Sequence, residues 1–374
     1  VTPEPPVDYT FVQSVKKNAQ NSDLGIAYVL DKSISEKIDS GNNKLADALI
    51  ASTTNFSEAD LAAAANQLQP LLMGGVNRLI TDTNYAVSDA LRDHSFTTTD
   101  QNLWAKIIGH DMTQDADNGI TGYDSKAFGA IVGLDTPISN HLNLGAAFSY
   151  IDSNTDSKGI TLNHELDAKN WQLLGYGRYA INDATLMNFH AGAGRSDIKG
   201  ERHISNLTDV IANSDYSVDT IQAGLGVGHR IGTVMNHVTP FAQVNYAQAK
   251  SEDYRETGAG VYNLNVDENT YKSTRWTAGV NMAQALTPKL SLTGQLAAAI
   301  ENGDRRSNIT ASFLEMPNDK FTTFGQDVGR EIGIAGIGLS YAPTPMTNLS
   351  LAYRGEWRDN YNDQGASIGL KTLF

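Results

Sequence analysis

From Leu103 to the C-terminus, apolar and polar residues alternate with a period of two. That is the spacing of strands that show one face to something oily and the other to something wet. Leu142, Leu144, Ala146, Phe148 and Tyr150 oppose Asn143, Gly145, Ala147 and Ser149; Ile221, Ala223, Leu225 and Val227 oppose Gln222, Gly224, Gly226 and Gly228; Leu349, Leu351, Tyr353 and Trp357 oppose Ser350, Ala352, Arg354 and Glu356. Twelve such segments follow one another, near 102–112, 120–136, 141–155, 165–180, 185–200, 213–231, 237–251, 266–286, 289–301, 322–342, 347–358 and 364–374. The alternation is least clean in the first, fourth and tenth. Most segments are longer than the roughly 9 to 11 residues a tilted strand needs to cross a bilayer, so several should project beyond it on one side.

The connections supply an independent reading. After the even-numbered segments they are brief and turn-like: PISN, INDA, GTVMN, LTP and APTPMT. After the odd-numbered ones they are mostly longer and rich in Asp, Glu, Asn and Ser, as in DSNTDSKGITLNHE and ENGDRRSNITASFLEMPNDK. Short turns at one end and long loops at the other are the asymmetry of an outer-membrane barrel, with the turns in the periplasm. Residues 101–374 are therefore expected to form an all-β transmembrane barrel of twelve antiparallel strands whose two chain ends lie on the periplasmic side.

Before residue 100 the period is helical. A proline-rich leader, Val1 to about Tyr9, precedes a helix that Asp23 could cap and that carries Leu24, Ala27, Tyr28 and Leu30. Gly41-Asn42-Asn43 reads as a break before Leu45, Ala48 and Leu49, and Ser57-Glu58-Ala59-Asp60 as a capping box opening a run with Leu61, Ala65 and Leu68. Pro70 ends that helix or starts the next. These apolar stripes are expected to pack on one another as a small bundle. The segment Val76 to His94 differs, being polar on most sides and carrying Asp82, Asp89 and Asp93. It suits a water-lined pore, where residues 82–94 would thread roughly 20 Å.

Composition sharpens this picture. Among 374 residues there are 33 glycines, no cysteine and a formal net charge of −14. The absence of cysteine removes disulfides and thiolate chemistry, and the acidic balance argues against nucleic acid, which needs clustered Lys and Arg. No apolar run approaches the roughly 20 residues of a membrane-spanning helix, so any crossing must be by strands. The opening VTPEPPVDYT carries no basic-then-apolar signal peptide and reads as the start of a mature fragment.

Candidate chemistry is sparse. Gly365-Ala366-Ser367-Ile368-Gly369 matches the nucleophile pattern G-x-S-x-G, but no helix follows to make the required elbow. The glycines at 224, 226 and 228 and at 333, 336 and 338 lack the following helix of a dinucleotide site and are expected to leave room inside a narrow barrel. The eight histidines show no metal-ligand spacing. No metal or other cofactor is therefore expected, and inward-facing His190 is given a structural role. Arg178, Arg230, Arg275 and Arg354 share the inward parity, and some are expected to pair with Asp82, Asp89 or Asp93 on an internal helix, because charges in a confined pore need partners.

The ordered series NAQNSDLGIAYVLDKS, LADALIAS, SEADLAAAANQLQP and DALRDH, followed by Asn102-Leu103-Trp104-Ala105-Lys106, Gly122-Tyr123-Asp124, Gly133-Leu134-Asp135 and Leu144-Gly145-Ala146, resembles the translocator unit of monomeric bacterial autotransporters. The resemblance implies a twelve-stranded barrel plugged by a helix, inserted by the barrel-assembly machinery as a monomer in outer-membrane lipid. It also implies an N-terminal passenger exported to the cell surface, with residues 1–100 as helical linker or passenger remnant. It marks Ile368, Leu370 and Phe374 as a C-terminal assembly signal. Some members cleave at an Asn-Asn pair on the pore helix; the comparable positions here are Asp82-Thr83 with Asn84 next, a departure that puts cleavage in doubt. A solute channel and a barrel-borne hydrolase using Ser367 stand as alternatives.

Overall fold

The computed structural model describes residues 10–40, 43–92, 100–159 and 163–374. The leader 1–9 and Asp93 lie outside the described residues. Twelve long strands form one antiparallel sheet: β1 (Asn102–Gln114), β2 (Gly122–Pro137), β3 (Leu142–Lys158), β4 (His164–Ala180), β5 (Thr185–Ile204), β6 (Val210–His229), β8 (Asn236–Ser251), β11 (Asn269–Ala285), β12 (Leu290–Gly303), β15 (Glu331–Thr344), β16 (Thr347–Arg358) and β17 (Tyr361–Leu373). The two-residue β7 (Ile231–Gly232) extends β6 along β8. Each strand pairs with its neighbour in the chain, and β1 pairs with β17 from Asn102↔Leu373 to Gln114↔Tyr361. The sheet therefore closes, which removes its edges.

The outward residues explain the closure. Phe128, Phe148, Leu173, Leu225, Leu296, Ile337 and Leu351 are exposed on the barrel wall, as expected where lipid rather than water is the neighbour. Tyr150 lies directly opposite Trp171, and with Trp276 and Trp357 they mark the upper limit of the apolar band. Tyr179, Tyr341 and Phe374 mark the lower. Such aromatic girdles sit at both interfaces of outer-membrane barrels. Above the upper girdle the outward positions turn polar, with Asn154 and Asp156 on β3 and Lys169, Asp167 and Glu165 on β4, so β2 to β6 project beyond the band.

Four short strands escape the sequence pattern. β9 (Tyr254–Arg255), β10 (Leu264–Val266), β13 (Ile309–Phe313) and β14 (Phe321–Thr323) lie in the two longest connections and form a separate sheet in the order β14-β13-β10-β9. The tenth predicted strand thus starts too early: Phe321 to Thr323 belongs to this second sheet, and the barrel strand begins at Glu331.

This sheet backs a helical cap at the long-loop end, made of α1 (Phe11–Lys17), α2 (Leu24–Ser40), α3 (Lys44–Thr53) and α4 (Glu58–Gln67). Ser57 and Asp60 form the expected capping box of α4, and Asn43 caps α3 through Ala46 N at 3.1 Å. The helices pack not only on one another: Phe11, Ile26, Leu30, Leu45, Leu49 and Leu68 share one buried cluster with Leu264, Val266, Phe313 and Phe321. Asp23 does not act as a simple cap. Its carboxylate is buried and accepts from Asn66 Nδ2 at 3.0 Å and Gln69 Nε2 at 2.9 Å, tying the start of α2 to the end of α4. Burial pushes its pKa up to about 7 despite these bonds.

Candidate functional site

Between cap and barrel the backbone turns through three consecutive residues of positive φ: Leu72 (47°), Met73 (49°) and Gly74 (88°). Only glycine adopts this region at little cost. The turn is fixed from outside, by Leu72 N donating to His164 Nδ1 at 3.0 Å and Met73 N to the Pro70 carbonyl at 2.8 Å. At Gly74 a Cβ would stand 2.6 Å from the Ser307 carbonyl oxygen, so a side chain is excluded by contact as well as by φ. This turn aims α5 (Val76–Arg92) down the barrel.

α5 is buried on all its faces, including Asn77, Arg78, Asp82, Asn84, Ser88 and Asp89. Its 17 residues cover about 25 Å at 1.5 Å each, close to the height of the apolar band. A polar helix is stable here because the inward parity of the wall is polar. Asn77 Nδ2 donates to the Asn269 carbonyl at 3.1 Å, the Tyr85 and Ser273 hydroxyls lie 2.7 Å apart, and Gln172 Nε2 donates to Asn84 Oδ1 at 2.8 Å. Lower down, Ser88 donates to Gln222, His190 Nε2 is 3.1 Å from the Ser88 hydroxyl, and Lys106 Nζ donates to the Ala90 carbonyl at 3.3 Å.

The strongest links are ionic. Arg78 holds Asp82 at 3.0 Å and also bonds Glu301 on β12. Arg358 on β16 reaches Asp82 at 3.0 Å and Glu301 at 3.1 Å. Arg275 on β11 reaches Glu356 at 2.9 Å, Glu301 at 3.2 Å and Asp82 at 3.6 Å, and stacks 4.0 Å over the Tyr85 ring. Two turns deeper, Asp89 is held by Arg354 and Arg92, each at 2.8 Å. The helix contributes Arg78, Asp82, Asp89 and Arg92, which cancel; the wall contributes Arg275, Arg354 and Arg358 against Glu301 and Glu356. Such a network satisfies charges that would otherwise be costly inside the barrel, and removing one member leaves its partners buried and uncompensated.

The structure brings together some of the residues expected from sequence and not others. Asp82, Asp89, Arg275 and Arg354 meet. Arg230 does not: it lies at the short-turn end, donating to the Asp183 carbonyl at 2.9 Å. Arg178 lies between Asn143 and Asn188 in the register, and its expected pairing with Asp93 falls outside the described residues. Parity gives the face of a strand but not the height along it, and Arg230 is too low. Arg78, Arg92, Arg358, Glu301 and Glu356 were missed as partners, although Glu356 and Arg358 share the inward parity of Arg354. Gly224, expected to make room for an occupant, instead accommodates the neighbouring wall side chains His190 and Asn245. Ser367 stands in mid-strand, paired with Ile108 and Ala352, with no elbow to present it. Thr83 donates to the Leu79 carbonyl at 3.1 Å within α5. Ile368, Leu370 and Phe374 point outward into the band beside the β1–β17 closure.

Comparison with known proteins adds to this geometry. Residues 103–354 match the family described as autotransporter beta-domain. The chain is 25% identical over 231 residues to outer membrane protein B of Rickettsia japonica, covering 59% of this chain and 14% of that protein. It is 23% identical over 389 residues to an extracellular serine protease of Serratia marcescens, covering 96% of this chain and 35% of that protein. The chain thus spans only a minor part of the length of these relatives. Among solved structures, the translocator domain of the autotransporter NalP from Neisseria meningitidis superposes with a TM-score of 0.64 at 16% identity, covering 78% of this chain and 93% of that one. The transport unit of AIDA-I from Escherichia coli gives 0.53 at 12% identity, covering 82% and 100%.

Proposed function

We propose a closed-pore mechanism for a chain that belongs to the autotransporter β-domain family and is thereby an outer-membrane translocator for export of its passenger. The observation that carries it is the path of the chain. The chain comes from the cap at the long-loop end, enters the barrel through the turn at Leu72 to Gly74, and runs as α5 toward the short-turn end, where β1 begins. Whatever precedes the cap is therefore held on the extracellular side, while the barrel remains anchored in lipid. In this reading the polar wall lets a chain pass, and the ion pairs to Asp82 and Asp89 hold the last segment in place afterwards. We place the division between helical and barrel parts near residue 100, although the cap shares its core with the barrel's own connections.

An epitope inserted before Thr10 should be labelled on intact cells, and one in the short turn at Asn182 only after the outer membrane is permeabilised. The opposite pattern would overturn the orientation.

The chain is read as remaining joined through α5. Asp82-Thr83 stand where the Asn-Asn pair would be, and the next asparagine, Asn84, has its side-chain oxygen held by Gln172 within α5. Intact mass of protein recovered from outer membranes should show no break between residues 80 and 86. The outward triplet Ile368, Leu370 and Phe374, on the strand that pairs with β1 to close the barrel, is read as the segment that the barrel-assembly machinery recognises. The partners implied are that machinery, membrane lipid and the chain's own passenger, with the barrel acting as a monomer.

A further inference from the structure

Above the aromatic girdle, the outward face of β4, β5 and β6 carries side chains that translocation does not use. Across these strands one row reads Asp167, Lys199, Asp215, and the next row toward the loops reads Glu165, Glu201, Asn213. In the first row a lysine sits between two carboxylates. In the second, Glu165 and Glu201 face each other directly with no cation in the row, an arrangement that destabilises a bare antiparallel pair. His203, two residues from Glu201 on the same face, lies with its Nε2 3.6 Å from Glu201 Oε2 and 4.0 Å from Glu165 Oε1. Both distances are too long for hydrogen bonds. The Nε2 atom is nevertheless shut off from solvent, with no hydrogen-bond partner among the described residues.

We propose that Glu165, Glu201 and His203 bind a divalent transition-metal ion of the zinc type on the extracellular wall of the barrel. One ligand atom from each lies within 4.8 Å of the others. Bonds of 2.0–2.2 Å to a tetrahedral ion place donor atoms about 3.4 Å apart, so a small rotation of the two exposed glutamates closes the site. One imidazole with two carboxylates suits zinc, whereas calcium and magnesium take oxygen ligands. A cavity of about 380 Å³ shares Glu165 and Glu201 and is also lined by Asn213, Lys199 and Arg255, which leaves an open side for water as fourth ligand. Arg255 is engaged by Asn265 at 3.2 Å. The bound ion would replace a like-charge contact with a clamp across β4 and β5. Histidine spacing along the chain hides such a site because its ligands come from two strands.

The test uses the full chain, purified in detergent without a histidine tag and titrated with ZnCl₂ by calorimetry, with the visible absorption of the Co²⁺ form as second readout. One Zn²⁺ per chain is expected, and His203→Ala or Glu201→Gln should weaken binding at least about tenfold, while the heat-dependent gel shift of the barrel shows that the variants fold. Glu165→Gln separates a metal site from a structural contact: in chelator-treated protein it should raise the thermal midpoint by relieving repulsion, and it should abolish the further rise that Zn²⁺ gives the parent. Absence of saturable binding, or identical isotherms for His203→Ala and the parent, would overturn the proposal.

Discussion

The cap and the lumen both bury helices, but by opposite rules. α3 buries one face, Leu45, Ala46 and Leu49, and leaves the rest to water, as an amphipathic helix on a soluble core does. α5 buries every face, among them two aspartates and two arginines or their stems, because its surroundings are the polar inner wall of a barrel whose apolar face is spent on lipid. The cap is held by non-directional apolar contact and the plug by directional ionic links. The first type of packing resists water, and the second can be made and unmade in it. A segment of the second type is one that a polar pore can admit.

The contrast can be broken most forcefully at Asp82. Asp82→Ala would leave Arg78, Arg275 and Arg358 buried with one carboxylate fewer, a loss of about 3–5 kcal/mol in helix retention. Planar-bilayer recordings should then show frequent openings, while proteolysis of the cap is unchanged. Leu49→Ala should do the reverse. A cavity in the cap core costs about 2–5 kcal/mol there, seen as faster cleavage of residues 10–69 by added protease, with a pore that stays closed.

Smaller effects lie at the junction and in the pH dependence. Gly74→Ala meets both a φ of 88° and the Ser307 carbonyl and should cost about 1–3 kcal/mol, loosening cap and plug together. Asp23 sharpens the cap side. Its folded pKa near 7 is above the ordinary value of 3.8, so the folded cap holds a proton that the unfolded chain has lost between those values. Cap stability should therefore be greatest at low pH and fall by about 1 kcal/mol per unit as pH rises toward 7, then level off. Hydrogen exchange of α2 and α4 amides, corrected for intrinsic rates, should show more protection at pH 6 than at pH 8, and Asp23→Asn should flatten that difference.

Much of the barrel was legible because alternation of two is enforced on every strand by lipid outside and water inside. Short and long connections gave the orientation for the same reason. What escaped was whatever depends on register. Glu301 is the last inward residue of its predicted segment, but only pairing places it beside Arg275 and at the level of Asp82. Arg230 has the right face and the wrong height. β9, β10, β13 and β14 were unreadable because two to five residues carry no period, and their burial comes from cap helices far away in the chain. On α5, attention to the acidic residues left Arg78 and Arg92 unassigned, although a helix buried in a pore must largely neutralise itself.

The central claim is that α5 closes the pore, and single-channel conductance tests it most directly. The full chain in a planar bilayer should be silent or nearly so, and a form beginning at Asp100, confirmed as a folded barrel by its gel mobility, should conduct in large stable steps. Equal conductance from the two forms would contradict the account.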